Sequence, residues 1–477
     1  MLGLLGGVVG YGIAHLLLRL FVSIAPEGIP RLQQAGLDAR VVLFTIGVAL
    51  ISGTLFGLAP ALHRPAPELL SGKEVRATTR GFLRQTLAAS QIAISLILLA
   101  GAGLLLRSLW NLQSVATGME TESVLTEVVS LADYRYPQAA QKVAFFTELE
   151  ARLKRLPGVT SLALSDSLPP AGWMRSTIFA AVEVAGRPRF AEGTGGVVDW
   201  RAVTPQYFQA LAIPIIRGRG FREKDRLPSE NPIVLSDTLA RELFPNEDPV
   251  GKQLKLFRAQ EGPWRTVVGV AANVKNNGLA ASADPEFYLP WKNDPVESLG
   301  TAHLILRTQM NPKAVAAWMR SETAGLDPTL PVTIEAMSER VGKLAQRPKF
   351  NALLLSLFAA TGMLLAAIGI YGVVGYLVAQ RTQEIGIRMA LGATPRNILR
   401  MVLMHFVRWT LTGTLFGLLG SWFATRLLES LLFEVRSHDP LLLGGAALVL
   451  LAVAFLSSWI PARRAMRVDP LVALRYE

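Results

Sequence analysis

Residues 351–379, NALLLSLFAATGMLLAAIGIYGVVGYLVA, form a long apolar run that contains no charged residue. About 20 apolar residues are enough for a helix to cross the hydrocarbon layer of a bilayer, so this run predicts a membrane span with several turns to spare. It leads directly into QRTQEIGIRMALGATPRNILRMVL at 380–403, which is rich in arginine and contains a Gly-Ala-Thr-Pro break. The two segments together predict a span followed by a surface helix and then a second span.

The rest of the chain supports a membrane protein. Its 477 residues are 51% hydrophobic and only 18% charged, which is too apolar for one soluble domain. The first apolar run lacks a basic segment before it, so we expect it to remain as a span and not to be cleaved as a signal peptide. With 351–379, the predicted spans number six, and the other five are 2–24, 41–62, 86–108, 403–428 and 441–461.

The connections between the spans indicate their orientation, because lysine and arginine concentrate in cytoplasmic links. Arginine and lysine are frequent in the links 63–85 and 380–402 and in the tail 462–477. The short link around 429–439 is instead acidic, so alternation places it outside together with residues 109–350. The net charge of +12 therefore fits anchoring at the cytoplasmic membrane surface, and we expect no nucleic-acid partner.

Residues 109–350 read as a mixed α and β domain. The segment 138–155 has apolar residues at helical spacing, and 311–326 opens with Asn311 as a cap and Pro312 in the first turn. Alternating apolar residues predict strands at 159–165, 265–274 and 302–308. We expect an α+β body outside the cytoplasm, made of two subdomains.

No catalytic, metal or cofactor motif is found in this sequence. The five histidines are scattered, there is no cysteine, and Asp166-Ser167 before Pro169-Pro170 reads as a turn. Gly72-Lys73 and Gly251-Lys252 lack the remainder of the phosphate-binding loop, G-x-x-x-x-G-K-[ST]. We therefore expect a non-catalytic chain without its own cofactor, and any ATP and Mg²⁺ to be bound by a partner.

The charged stretch at 380–402 predicts an amphipathic helix and a sharp restart. Arg381, Glu384 and Arg388 share one face, while Ile385, Met389 and Ile387 supply an apolar strip. Gly392 is suited to a left-handed helix end, Thr394 to capping the next helix and Pro395 to its first turn. The stretch either holds anionic lipid head groups through its arginines, or docks a cytoplasmic partner with the apolar strip in a groove.

An internal similarity suggests duplication. GLLGG at 3–7 resembles GLLGS at 417–421, and the segments 55–76 and 454–477 share a Pro-Ala after an apolar run, followed by basic residues. Pro60 and Pro461 are expected to stop or kink their helices. Residues 1–62 then read as the last two spans of an earlier copy of the later unit; the alternative is a chance likeness of two membrane hairpins.

Several of these motifs resemble one family. The stretch QRTQEIGIRMALGAT, the preceding span and the closing PARRAMRVDPLVALR are similar to the C-terminal signature of MacB/FtsX-like ABC transporter permeases. TPQYFQALAIPIIRGRGF (204–221), LARELFPNEDPVGKQL (239–254), VVGVAANVKNNGL (267–279) and FYLPW (287–291) resemble that family's periplasmic core domain. The likeness is greatest to the duplicated orphan permeases, with a truncated first unit.

The resemblance implies a permease subunit in a bacterial inner membrane that couples ATP hydrolysis by a separate cytoplasmic ABC ATPase to movement of its outer domain, for export or mechanotransmission. It also implies a second permease unit, either a homodimer or a missing upstream half, and in some relatives a periplasmic adaptor. By position, the residues that match the coupling helix are Glu384, Ile385, Arg388, Gly392, Thr394 and Arg396.

Two other functions are alternatives to this one. An FtsX-like regulator would use its outer domain to activate a cell-wall hydrolase. An ion-driven carrier would need charges in mid-membrane, whereas the charged or ionisable residues of the spans lie near span ends. These residues are His15, Arg19, His405, Arg408 and Arg426.

Overall fold

The computed structural model describes residues 2–25, 36, 38–61, 75–170, 175–188, 195–257, 261–276, 278–280, 285–292, 300–380, 382–435 and 439–465. Arg381, most of the tail expected at 462–477 and about half of the link expected at 63–85 lie outside these residues. The chain divides into two compact units, one comprising Met1–Asn111 and Gln346–Glu477 and the other Leu112–Ala345.

The described residues contain helices and strands in both units. The helices are α1 (Leu2–Ile24), α2 (Ala39–Ala61), α3 (Val75–Gln113), α4 (Ala139–Lys154), α5 (Tyr207–Ala210), α6 (Asp237–Leu243), α7 (Pro312–Leu326), α8 (Met337–Leu344), α9 (Gln346–Gln380), α10 (Thr382–Ala390), α11 (Pro395–Leu427) and α12 (Pro440–Ala465). The strands are β1 (Val124–Ser130), β2 (Val159–Ser165), β3 (Arg175–Ile178), β4 (Val182–Val184), β5 (Val197–Val203), β6 (Ile215–Gly218), β7 (Pro232–Ser236), β8 (Gln253–Phe257), β9 (Glu261–Ala271), β10 (Glu286–Pro290), β11 (Thr301–Thr308) and β12 (Thr333–Ala336).

Helices cover all six of the expected spans. Five of them, α1, α3, α9, α11 and α12, are long and apolar enough within the described residues to cross a membrane. The sixth, α2, has 23 residues, but its side chains are continuously described only as far as the apolar segment Ala39–Ile51. The first unit thus contains about five long apolar helices together with α2, whose apolar segment with described side chains is shorter.

Small residues allow the long helices to pack closely, as is usual inside membranes. A Cβ added at Gly413 of α11 would lie 2.7 Å from the Ala89 carbonyl oxygen of α3, and one at Gly417 would lie 2.9 Å from Leu96. On α9, Gly362 faces Ser95 and Leu98, whose helix is also α3. These glycines therefore serve contacts within the chain.

Pro461 does not end its helix, so of the two expected outcomes, a stop or a kink, the structure excludes the stop. The helix continues through Pro461 to Ala465. A proline inside a helix removes one hydrogen bond and crowds the preceding turn. Here the apolar packing of α12 against α9 and α11, with Leu450 and Ala454 each 1% exposed, outweighs that local cost.

The second unit is built on one continuous sheet with the order β12-β1-β11-β2-β5-β10-β7-β9-β8-β4, to which β3 and β6 are added at β5 and β9. One half is antiparallel, with β1 paired to β11 and β12, and β11 paired to β2. The other half is mixed, since β10 runs parallel to β5 and β7 runs parallel to β9. The halves join through a single residue pair, Ser165 of β2 and Val203 of β5.

Each half of the sheet has an apolar cluster of its own. Helices α4 and α7 bury Phe146, Leu149 and Met319 against the antiparallel half. Helix α6 buries Leu239 and Leu243 against the mixed half. The 3.6-residue apolar period of 138–155 and the Asn311 side chain, which accepts a hydrogen bond from the Lys313 amide, account for α4 and the start of α7.

Candidate functional site

The charged stretch between two spans folds as the predicted surface helix. Helix α10 lies between the end of α9 and the start of α11, and Ile385 on its inner face is 1% exposed. Ile385 packs with Ile398 of α11, which is 2% exposed, and the partly buried Val378 of α9 contacts the same cluster. Apolar contacts thus fix α10 to both neighbouring long helices.

The turn after α10 explains the glycine at 392. Gly392 has φ +96°, a backbone conformation that glycine adopts without steric cost. Its amide donates to the Met389 carbonyl at 3.0 Å, and the Ala393 amide donates to the Arg388 carbonyl at 2.9 Å. These two bonds are the pair expected of a Schellman helix end, so they satisfy carbonyls that the last turn would otherwise leave unpaired.

Thr394 starts α11 through its backbone and not through its side chain. Its φ and ψ are extended, as expected of a capping residue, but its side chain makes no capping hydrogen bond. The Thr394 carbonyl accepts from the Asn397 amide at 2.9 Å, and Pro395 occupies the first turn. The prediction of a helix start at Thr394 and Pro395 is therefore right, and only the predicted side-chain cap is wrong.

The outward side of α10 carries a charged pair and two exposed apolar residues. Glu384 Oε1 and Arg388 Nη2 form an ion pair at 2.8 Å in the i,i+4 arrangement, with both side chains nearly half exposed. Ile387 is 43% exposed and Leu391 is 82% exposed. We call Glu384, Ile387, Arg388 and Leu391 the coupling face.

This geometry corrects the expected use of the apolar strip. Ile385 and Met389 contact α9 and α11 of the same chain, so they are not available to enter a partner's groove. Ile387 points away from them, because residues two apart on a helix lie on different faces. Of the predicted site residues, Glu384 and Arg388 meet on the surface, Gly392, Thr394 and Arg396 are exposed beyond the turn, and Ile385 anchors the helix from inside.

The second unit, Leu112–Ala345, which we call the outer unit, holds a buried polar network that the sequence pattern does not predict. Arg201 of β5 is 1% exposed and donates to Glu286 of β10, to Asn276 Oδ1 at 2.9 Å and to Tyr207 Oη at 3.2 Å. Asn276 and Tyr288 in turn donate to Glu286 Oε2. The one sequence signal was an arginine in the strand VVDWRAV at 197–203, whose only other charged residue is Asp199.

Three further titratable groups in the outer unit have pKa values shifted mainly by burial. Asp166 accepts from the Ala202 amide at 3.1 Å and pairs with Arg175, and its burial raises its pKa. Burial raises the pKa of Glu127 to about 7, and burial together with Arg340 and Arg201 lowers that of His303 to about 4. The residues that the structure describes contain no group of three or more His, Asp and Glu side chains placed to hold a metal ion.

Comparison with known proteins adds to this geometry. The profile of the family described as FtsX-like permease C-terminal matches residues 356–470, which include the coupling face. The profile described as MacB-like periplasmic core domain matches residues 117–322, which form most of the outer unit. The chain belongs to the MacB/FtsX-like ABC permease family. This permease is a multi-pass membrane protein with an extracytoplasmic α+β domain.

Individual relatives cover the permease only in part. A macrolide export ATP-binding/permease protein MacB of Marinobacter nauticus is 30% identical over 274 residues, which are 55% of this chain and 41% of that protein. YknZ of Bacillus subtilis, an uncharacterized ABC transporter permease, is 26% identical over 280 residues, 57% of this chain and 68% of that protein. A crystal structure of the periplasmic region of MacB from Actinobacillus actinomycetemcomitans covers 48% of this chain and 95% of that chain, at 15% identity and a TM-score of 0.33.

The permease spans less than half the length of three ATP-binding/permease relatives that it matches, at 45%, 41% and 43% of theirs. Both profile matches on this chain are to permease domains.

Proposed function

We propose that this permease couples ATP hydrolysis by a separate cytoplasmic ABC ATPase to movement of its extracytoplasmic domain, in export or mechanotransmission. The observation that carries the proposal is the coupling face, which is exposed outward while its helix is held from inside by Ile385 and Ile398. Because α10 packs against two spans, a displacement of α10 would also move those spans, whereas a surface helix without such contacts would move alone.

The coupling face has the composition of a docking surface. Leu391 is an apolar side chain left 82% exposed beside the Glu384–Arg388 pair. Burying a leucine in a partner's pocket contributes roughly 1.5–3 kcal/mol, whereas an exposed i,i+4 ion pair adds only about 0.3–0.5 kcal/mol to helix stability. We therefore assign the affinity to Leu391 and the orientation of the partner to the charged pair.

The length of α9 suits it to transmit motion. It has 35 residues, which corresponds to about 52 Å at about 1.5 Å per residue, against a hydrocarbon layer of about 30 Å. Its last turns contact α10 through Val378, and its first residue follows directly on α8 and Ala345 of the outer unit. One continuous helix thus connects the coupling helix with the chain segment that enters the outer domain.

The remaining partners follow from the family. ATP and Mg²⁺ would bind to the separate ATPase, because the sequence contains no phosphate-binding loop. A second permease unit, either a further copy or an upstream half, would complete the membrane part, and a periplasmic adaptor would extend the outer domain in an export role. The duplication expected for residues 1–62 belongs to the same proposal.

The test places a photo-crosslinking amino acid at Leu391 of the full-length permease in its host cell and identifies the captured protein by mass spectrometry. We expect a protein that bears the G-x-x-x-x-G-K-[ST] loop. The control is the same substitution at Tyr134, an outer-unit residue that is 88% exposed. Capture of the ATPase from Tyr134 and not from Leu391 would refute the assignment.

A second measurement uses the ATPase so identified, with the permease in reconstituted vesicles. Glu384→Lys places like charges next to each other on the coupling face, and we expect about tenfold or more weaker stimulation of ATP hydrolysis. Glu429→Lys is the matched control, because Glu429 is an exposed carboxylate in the short link after α11. Unchanged stimulation with Glu384→Lys in a normally inserted protein would count against the coupling face.

A further inference from the structure

A cavity of about 710 Å³ lies between α11 and α12, within the helical unit. Its walls come from Met404, Val407 and Leu411 on α11 and from Leu448 and Phe455 on α12. All five of these side chains are 40–68% exposed, so the cavity is an open groove along the two helices. Its size falls within the range of about 300–1,000 Å³ that is common for ligand sites.

Beyond its arginine end, the described side chains that line the groove are apolar except for two buried hydroxyls. The two hydroxyl residues that line it, Thr410 and Ser458, are 5% and 1% exposed. Thr410 donates to the Phe406 carbonyl and Ser458 to the Phe455 carbonyl of their own helices. An occupant must therefore be apolar over the length of the groove, because a polar solute would lose its hydrogen bonds to water there.

One end of the groove is strongly basic. Arg396 and Arg400 line it, are both exposed, and lie on the same face of α11 because they are four residues apart. The ion pairs found among the described residues include none with either arginine. Arg463 and Arg464 in the last turn of α12 add positive charge near the Ser458 end of the second wall.

The length of the apolar part matches one leaflet of a bilayer. From Arg400 to Leu411 α11 advances eleven residues, or about 16 Å at about 1.5 Å per residue. Half of a hydrocarbon layer of about 30 Å is about 15 Å. An acyl chain that enters at the arginines would therefore end near Leu411 and Leu448, where the groove ends.

We propose that this groove is a specific site for an anionic phospholipid of the cytoplasmic leaflet. The phosphate lies between Arg396 and Arg400, and one acyl chain runs along Met404, Val407 and Leu411. Two guanidinium groups at the mouth favour an anionic head group over a zwitterionic one, because a bidentate guanidinium–phosphate contact is charge-assisted. The lipid joins the base of α11 to α12 and so stiffens the helix that α10 contacts.

The test is native mass spectrometry of the full-length permease in detergent, titrated with phosphatidylglycerol and, separately, with phosphatidylcholine of the same acyl chains. Two arginines near an anionic head group correspond to about thirtyfold tighter binding of phosphatidylglycerol. Arg396→Ala with Arg400→Ala should bring its affinity down to that of phosphatidylcholine. Arg426→Ala, at the other end of α11, should leave the preference intact.

A second pair of variants tests the acyl-chain part without removing charge. Val407→Trp fills the groove and should lower the binding of both lipids, whereas Leu415→Trp, on the same helix but outside the groove, should not. Equal affinity of the native chain for the two lipids, or a preference that survives the double arginine variant, would overturn the proposal.

A different occupant, the helix of a second copy, is distinguished by crosslinking. The native chain has no cysteine, so Val407→Cys introduces a single thiol into the groove. Formation of a disulfide between two copies in vesicles would show that a second chain covers the groove and would refute the lipid site. No ATPase is present in these measurements, so their outcome is independent of the proposed coupling function.

Discussion

Glu127 is a carboxyl group placed inside the apolar cluster of the antiparallel half-sheet. It is 0% exposed, its Oε1 accepts from Thr323 Oγ1 at 2.7 Å, and its Oε2 has no hydrogen-bond partner among the described residues. Burial raises its pKa from 4.5 to about 7, against the smaller opposing effects of Thr323 and Arg320. We predict that Glu127→Gln, which keeps the shape and removes the charge, stabilises the outer unit at alkaline pH.

The size of the effect follows from the pKa. The pKa of Glu127 in the folded protein, about 7, is about 2.5 above the value of 4.5 for a free glutamate. At about 1.36 kcal/mol for each tenfold change in proton affinity, this difference changes the free energy of unfolding by about 3 kcal/mol. Because the pKa is higher in the folded protein, the folded state binds the extra proton. The contribution of the Glu127 proton to the free energy of unfolding is therefore complete below pH 4.5, decreases as the pH rises, and is lost above about pH 7. The glutamine variant does not titrate, so it avoids the loss.

The assay is thermal unfolding of the full-length permease in detergent, followed by tryptophan fluorescence at pH 5 and pH 8. For a domain of the size of the outer unit, about 3 kcal/mol corresponds to roughly 6–12 °C in Tm. We expect Glu127→Gln to unfold higher than the native chain by that amount at pH 8 and by much less at pH 5. Glu339→Gln, at an exposed carboxylate of α8, serves as the control. A gap that is equal at both pH values would refute the reasoning.

Two more predictions concern the buried network and the turn. Arg201→Met leaves Glu286 buried without its charge partner, which costs about 3–5 kcal/mol, so Tm in the same assay should fall by roughly 6–20 °C. The control is Arg217→Met, at an exposed arginine of β6, which should leave Tm almost unchanged. A small effect of Arg201→Met would mean that water reaches Glu286. Gly392→Ala forces a side chain into a backbone with φ +96° and should destabilise the end of α10 by about 1–2 kcal/mol, seen as faster amide exchange over 382–391. Gly372→Ala is the matched control, since both sites have open space around the new Cβ and differ in backbone conformation, so equal exchange in both variants would contradict the turn assignment.

Much of the fold was predictable because its signals are local. The strand predicted at 159–165 is β2 with the same bounds. The strand predicted at 302–308 is β11, and the helix predicted at 311–326 is α7, each to within one residue. The strand predicted at 265–274 is displaced, since β9 covers Glu261–Ala271. Its register follows from pairing with the neighbouring β8 and also with β7, which α6 and β8 separate from it in the chain.

The candidate site was predictable in position but not in orientation. The residue type of Gly392 was enough to predict the left-handed turn, and the i,i+4 spacing was enough to predict the Glu384–Arg388 pair. Ile385 and Ile387, however, are the same residue type two positions apart, so composition alone does not say which one faces inward. The answer depends on Ile398 and Val378, which α11 and α9 bring to the Ile385 side.

That orientation decides what α10 can transmit. Ile385, Ile398 and Val378 form one small cluster, and the Schellman bonds to the carbonyls of Arg388 and Met389 hold the turn into α11, so we expect α10 to move together with the ends of both neighbouring helices. If an ATPase acts on Leu391, its displacement must therefore tilt the ends of α9 and α11 together. A tilt of a helix about 52 Å long moves its far end several times further than its near end when the pivot lies close to α10, and in this way a small cytoplasmic motion would reach the extracytoplasmic domain.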